Sequence, residues 1–265
     1  VWIHHGIIDS HGLEGQKKNE LIANILQGKN LYKAYRRVVS NKGSCGVDKM
    51  EVDYLQEYLS THQRNLVREI LADNYLPNAI RVVEIPKSNG NKRLLGIPTV
   101  VDRWLQQAVS QQLMTKLEFS DHSYGFRPKK NMQQALIQSL SYINDGYSDI
   151  EDIDLSKFFD EVVHHKILQL IHEKVKCKTT LRLIRKWLRA PILINGKLHK
   201  RRKRLPQGSP LSPLLSNIML DQLDKYLEKR GCRFIRYADD FSIYTKSKSE
   251  AKSIGNEVYL FLRDK

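Results

Sequence analysis

Two short apolar runs, Phe234 to Ala238 and Phe241 to Thr245, are separated only by the aspartate pair Asp239-Asp240. Aromatic and β-branched residues make both runs strands, and the gap between them allows nothing longer than a tight antiparallel turn. The chain must therefore carry two carboxylates at the tip of a hairpin whose flanks are buried. Aspartate also suits turns for purely structural reasons, so the pair by itself leaves a structural and a chemical reading open.

A second strand with acids is Ile150 to Leu155. Its alternation puts Ile153 and Leu155 on one face and Asp152 and Asp154 on the other. The strand runs into a helical pattern with Phe159, Val163, Ile167 and Leu170 on its apolar face, so Asp154 stands beside the free N–H groups of a helix start. Asp152 reads as a solvated strand residue. Next come a hairpin, Pro191 to Asn195 and Leu198 to Leu205 turning at Gly196, and a helix that starts at Ser212-Pro213 and ends at Lys229-Arg230 before Gly231. A last helix covers 249–262. The order βα, hairpin, α, ββ, α predicts an α+β lobe: an antiparallel sheet covered by helices on one face, with the other face open.

If the two strand segments are neighbours, Asp154, Asp239 and Asp240 converge at one sheet end. Their repulsion raises a carboxyl pKa unless a cation intervenes. Oxygen-only ligands suit Mg²⁺, with Mn²⁺ as a substitute, and two ions about 3.5–4 Å apart would serve in-line phosphoryl transfer. These acids do not separate a polymerase from a nuclease.

The first half differs in character. Residues 1–20 form a lead segment whose His4, His5 and His11 read as solvated. A lobe over 21–149 begins with helical spacing at Leu21, Ile25, Leu31, Tyr35 and Val38 and continues into a basic β-hairpin over 79–97. Thr99 and Asp102 then open a helix through Trp104, Ala108 and Leu113, and another helix spans Met132 to Tyr142. The lobe boundary is expected at Ile150, giving a second lobe over 150–265, with the 190–205 hairpin free to pack with the first.

Forty-four Lys and Arg against 29 Asp and Glu leave a formal charge of +15; in a folded chain with 41% hydrophobic residues this serves solubility alone or, more often at this size, a polyanionic partner, an anionic membrane or nucleic acid, of which nucleic acid is favoured. Cys45, Cys177 and Cys232 show no paired spacing, which fits a reducing cytoplasm and excludes a disulfide framework or zinc site. No apolar run approaches the roughly 20 residues of a membrane span.

Three motifs in order resemble those of reverse transcriptases: Asp152 to Asp160, the loop Pro206-Gln207-Gly208-Ser209-Pro210-Leu211-Ser212, and Phe234-Ile235-Arg236-Tyr237-Ala238-Asp239-Asp240-Phe241. The hairpin Ile85-Pro86-Lys87 with Arg93-Leu94-Leu95-Gly96-Ile97-Pro98, and Tyr124-Gly125-Phe126-Arg127-Pro128, look like the group II intron-encoded branch, the maturases. The resemblance covers roughly Leu31 to Lys265. It implies the fingers (21–149) and palm (150–265) of a right-hand polymerase. The thumb-like region that normally follows is not expected within this sequence, which reads as a fragment.

By that resemblance Asp154, Asp239 and Asp240 are catalytic and hold two Mg²⁺ ions, with the Leu155 carbonyl as a further ligand. Lys87 and Arg93 grip the triphosphate, although two solvated hairpin cations give the same letters, and only a register pairing them aims both at one face. Phe159 is the steric gate under the sugar, with Phe158 as its alternate and a core aromatic as the competing reading. Gln207 sits near the nucleotide sugar and templating base. Read from charge alone, the run His199 to Arg204, with Arg201, Arg202 and Arg204, is either a solvated cluster or, because it precedes the Gln207 loop, a surface lying along template or intron RNA; Arg127 is the stronger candidate for a template contact. The implied partners are an RNA template, a DNA primer and deoxynucleoside triphosphates, and the oligomeric state is open. Rival readings are an RNA-binding maturase without polymerase activity, a retron, diversity-generating or defence reverse transcriptase, and an RNA-dependent RNA polymerase, which Phe159 disfavours.

Overall fold

The computed structural model describes residues 13–263 apart from 87–89, 91, 156–161 and 204. The chain divides into two compact units, residues 1–117 with 159–212, and residues 118–158 with 213–265.

In the first unit, α1 (Leu13–Leu26) and α2 (Gly28–Ser40) are broken at Gln27 and followed by α3 (Leu55–Leu71). The break is tied by buried Asn30, whose amide donates to the carbonyls of Ile25 (2.8 Å) and Ala108 (3.0 Å). Ala108 belongs to α4 (Val100–Met114), which is buried along most of its length and donates Trp104 Nε1 to the Leu31 carbonyl at 2.9 Å. The basic hairpin forms as β1 (Ile80–Pro86) and β2 (Lys92–Ile97). Its register opposes Arg93 to Ile85, not to Lys87. Two helices follow, α6 (His164–Lys174) and α7 (Lys178–Arg189), then β4 (Ile192–Ile194) and β5 (Lys197–His199). β4 joins β1 in parallel, so a single sheet runs β2-β1-β4-β5 and the 190–205 hairpin belongs to this unit.

Two local expectations change here. The helix expected through Phe159 lies partly outside the described residues, and Val163 is not inside a helix but is the N-cap of α6, bridged to Lys203. The second strand of the hairpin stops at His199, because Arg201 turns inward and donates to the carbonyls of Ala190 (3.0 Å) and Trp187 (3.3 Å) at the end of α7.

The second unit contains α5 (Met132–Asn144), β3 (Asp149–Asp154), most of α8 (Ser212–Lys229), β6 (Arg233–Tyr237), β7 (Asp240–Thr245) and α9 (Lys248–Arg263). Its antiparallel sheet runs β3-β7-β6. One face buries Phe234, Phe241 and Ile243 against Leu220, Leu223 and Leu227 of α8 and Val258 of α9. This is the expected helix-covered face. The other face is not wholly open: Ile235 and Tyr244 pack with Tyr124, Ala135 and Tyr142, so α5 covers its far end. The lobe boundary expected at Ile150 therefore differs from the division into compact units, because α5 packs on β6 ahead of that point. Among the described residues no helix is long and apolar enough to cross a membrane, and the three cysteines are free.

Candidate active site

The β3–β7 ladder sets Asp154 directly opposite Asp240 and Asp152 opposite Ser242. Residues so paired hold their Cβ atoms about 4.5–5.5 Å apart on one face. Across β6 and β7, Tyr237 pairs with Asp240, which leaves Ala238 and Asp239 as a two-residue turn. Ala238 has φ +62°, a left-handed conformation that costs a residue with a Cβ roughly 1–2 kcal/mol. Asp239 is thus fixed one residue from the facing pair, and all three acids lie at one end of the sheet.

Their charges interact. Burial, then the carboxylates of Asp239, Asp154 and Asp152, push the Asp240 carboxyl above its ordinary range. Asp152 is engaged otherwise, accepting from Ser242 Oγ at 2.6 Å. Leu155 follows Asp154 with its side chain half-buried against the α8–α9 core.

Among the described residues, no group of three or more histidine, cysteine, aspartate or glutamate side chains is gathered closely enough to hold an ion by itself. What the sheet end offers is a facing carboxylate pair with a third acid next to it, oxygen-only and mutually repelling. Such an open set fits Mg²⁺, which uses one or two carboxylates and completes its octahedron with water and substrate phosphates.

In the first unit the loop carrying Gln207 is fastened to β2, with the Gly96 N–H donating to the Gln207 carbonyl at 2.8 Å. Gly208 lies at φ +124°, and a Cβ there would stand 2.6 Å from the Gly96 carbonyl oxygen, so only glycine permits this approach. Ser209 Oγ donates to Gln106 Oε1 (2.8 Å) and Ser212 Oγ to the Pro206 carbonyl (2.8 Å). Lys87, Phe158, Phe159 and Arg204 lie outside the described residues, and of Arg93 only the backbone is described.

Residues 85–265 match the family model described as reverse transcriptase (RNA-dependent DNA polymerase). The chain belongs to the reverse transcriptase family. This reverse transcriptase is 35% identical to protein YkfC of Escherichia coli K12, over 89% of the chain and 73% of YkfC. It is 32% identical to the group II intron-encoded protein LtrA of Lactococcus lactis, over 86% of the chain but only 37% of LtrA. Retron Ec86 reverse transcriptase of Escherichia coli is 30% identical over 63% of the chain and 49% of its own length. Among solved structures, a chain of the partial Cas6-RT-Cas1–Cas2 complex superposes with a TM-score of 0.54 at 25% identity, covering 99% of this chain and 46% of that one. The group II resemblance read from the hairpin and the Tyr124–Pro128 loop is thus matched by intron-encoded relatives, alongside retron enzymes.

The cations of this reverse transcriptase divide into structural and exposed ones. Arg201 is 8% exposed and caps α7 from inside, so it is not available to a template. Arg127 staples its own loop, donating to the carbonyls of Ser120 and Ser123 and lying over the Phe119 ring. Arg202 and Lys203 are exposed. The sequence reading passed over a basic stripe on α7: Lys178, Arg182, Arg185 and Arg189, at spacings of one helical turn, are exposed opposite buried Leu183, Ile184, Trp187 and Leu188. That spacing is the signal that finds it. Phe126, quoted above only as part of a motif, is 52% exposed at φ +58° beside Gly125, whose backbone lies against the Ala238 turn.

Proposed function

We propose that this chain carries the nucleotidyl-transfer site of an RNA-directed DNA polymerase from a group II intron retroelement, with a linked RNA-splicing role in the full-length protein. The observation that carries the reading is the ladder pair Asp154–Asp240 beside the turn that holds Asp239. The reaction joins the primer 3′-oxygen to the α-phosphorus of a deoxynucleoside triphosphate, breaks the bond to pyrophosphate and releases the hydroxyl proton to solvent. Asp154, Asp239 and Asp240, with the Leu155 carbonyl, would hold two divalent ions. Bound there, Mg²⁺ supplies a more acidic 3′-hydroxyl and neutralises charge on the leaving pyrophosphate.

The motif resemblance assigns Lys87 and Arg93 to the triphosphate, Phe159 or Phe158 to exclusion of the 2′-hydroxyl, and Gln207 to the nucleotide. Arg93 does not pair with Lys87, but its pairing with Ile85 keeps it on the face that alternate odd-numbered positions of β1 share. Arg127 acts on the template by shaping its loop, and Arg202 and Arg204 act as phosphate contacts. Free cysteines support a reducing, cytoplasmic setting. The test is Mg²⁺-dependent extension of a DNA primer on an RNA template by the protein at its natural full length. Extension with deoxyribonucleotides, absent with ribonucleotides and lost in Asp239→Ala, is expected. RNA binding by the folded protein with no extension overturns the polymerase reading and leaves a binding maturase.

The RNA partner has its own test. Replacing Arg185, Arg189 and Arg202 together by alanine removes three exposed cations and leaves the core intact. Affinity for RNA should fall, and the slope of log affinity against log salt should become shallower by about one for each phosphate no longer neutralised. An unchanged slope would put the RNA elsewhere.

A further inference from the structure

The aspartate turn is gripped from the core side by a buried cation. Arg236 shares its face of β6 with Phe234 and is 0% exposed. Its guanidinium forks onto Asp224, with Nε to Oδ1 at 2.8 Å and Nη2 to Oδ2 at 2.6 Å. The remaining nitrogen, Nη1, donates to Asn217 Oδ1 (2.7 Å) and to the carbonyl of Ala238 (2.9 Å), the left-handed residue that precedes Asp239. Asn217 and Asp224 are seven residues apart on α8, two turns along one helix face, so a single element presents both.

The same grip reaches the next segment. Asn217 Nδ2 donates to the Gly125 carbonyl at 3.0 Å. Gly125 lies so close to the turn that a Cβ would stand 2.2 Å from the Ala238 nitrogen. The segment is tied to β6 by two backbone bonds, Arg236 N–H to the His122 carbonyl (2.9 Å) and Tyr124 N–H to the Arg236 carbonyl (2.8 Å).

A fully buried ion pair is a poor way to gain stability, because apolar residues of similar volume commonly do as well or better. Both partners of this pair are fully buried, and the guanidinium lies over the Phe241 ring. Its donors beyond Asp224 serve the strained turn and the strut to Gly125. Strain at a functional turn persists only when the surroundings over-determine it.

We infer that Arg236, oriented by Asp224 and Asn217, is a positioning residue that sets Asp239 and Asp240 against Asp154 for divalent-metal binding. The inference rests on the proposed metal-holding role of those aspartates. Arg236→Lys keeps the charge but cannot fork onto Asp224 and reach Ala238 together. Asn217→Ala leaves the ion pair and removes the strut.

The experiment measures Mn²⁺ binding by electron paramagnetic resonance in the full-length protein without substrate, the Mg²⁺ concentration for half-maximal primer extension, and thermal melting. Both variants should weaken metal binding and raise the Mg²⁺ requirement by about tenfold or more while still melting cooperatively. Metal affinity within about twofold of the unaltered protein, in either variant that folds, overturns the inference. Asn217→Ala decides the matter if Arg236→Lys fails to fold. Asp239→Ala separates the two claims: if it binds Mn²⁺ as tightly as the unaltered protein, the metal-holding role itself fails, whatever Arg236 does.

Discussion

Replacing Asp240 by asparagine should make the protein slightly more stable while lowering primer extension on the order of 10³-fold. Asp240 stands directly across the ladder from Asp154 and within the field of Asp239 and Asp152, and its carboxyl is pushed up by burial and by those charges. Like charges directly opposite in a sheet destabilise it by about 0.2–1 kcal/mol, toward the lower end for a pair as exposed as this one. Asparagine removes the repulsion and keeps the shape, so melting should rise by roughly 1–3 °C in low salt. The same change removes an anionic oxygen from the set proposed to hold the metal. An opposed shift in stability and activity separates a functional carboxylate from a structural turn residue. A fall in melting temperature would mean that Asp240 accepts a structural bond, and undiminished extension would move the chemistry elsewhere.

Much of this site could be read from the sequence because its geometry is local. Two-residue alternation fixed the faces of Asp152 and Asp154, and the short gap between two apolar runs required a tight turn, which forms one residue earlier than expected: Ala238 and Asp239 make it and Asp240 joins β7 opposite Tyr237. The helix expected from Ser212 to Arg230 runs from Ser212 to Lys229, since its cap and stop are written in adjacent residues. What escaped were choices settled by distant partners. No local periodicity reveals that β4 pairs in parallel with β1, or that Tyr142 of α5 packs against Tyr244. In the run His199 to Arg204, all basic or histidine, nothing marks Arg201 as the one that turns inward. Arg236 did leave a signal: alternation puts it on the face of Phe234 and Phe241, where an unpaired charge could not be sustained.

The largest loss of stability should come from Asp102→Ala, at about 3–5 kcal/mol. Asp102 is 1% exposed at the start of α4 and accepts four hydrogen bonds. Tyr75 Oη (2.7 Å) and Trp187 Nε1 (2.8 Å) donate to Oδ1, while Thr99 Oγ1 (2.7 Å) and the Asn78 N–H (3.2 Å) donate to Oδ2. Burial raises its carboxyl above the ordinary range, and the bonds from Tyr75, Thr99 and Trp187 oppose that shift. Burial, with Asp102 beside it, also holds the Tyr75 hydroxyl well above its usual pKa, so it remains a donor. One carboxylate thereby joins α4, the segment leading into β1, and α7, three stretches that the sequence separates widely. Alanine would strand the indole N–H and the phenol in the core and leave a void, against a total stability of about 5–15 kcal/mol. Melting should fall by roughly 10 °C or more. Asparagine should be intermediate, since its oxygen still accepts but its NH₂ faces donors. A loss below about 1 kcal/mol for alanine would mean that water can enter and satisfy the four donors, and that Asp102 is not what ties α7 to α4 within the first unit. Mn²⁺ binding measured well below the melting temperature should survive in Asp102→Ala, because the aspartate turn is held by Arg236 and Asn217 instead.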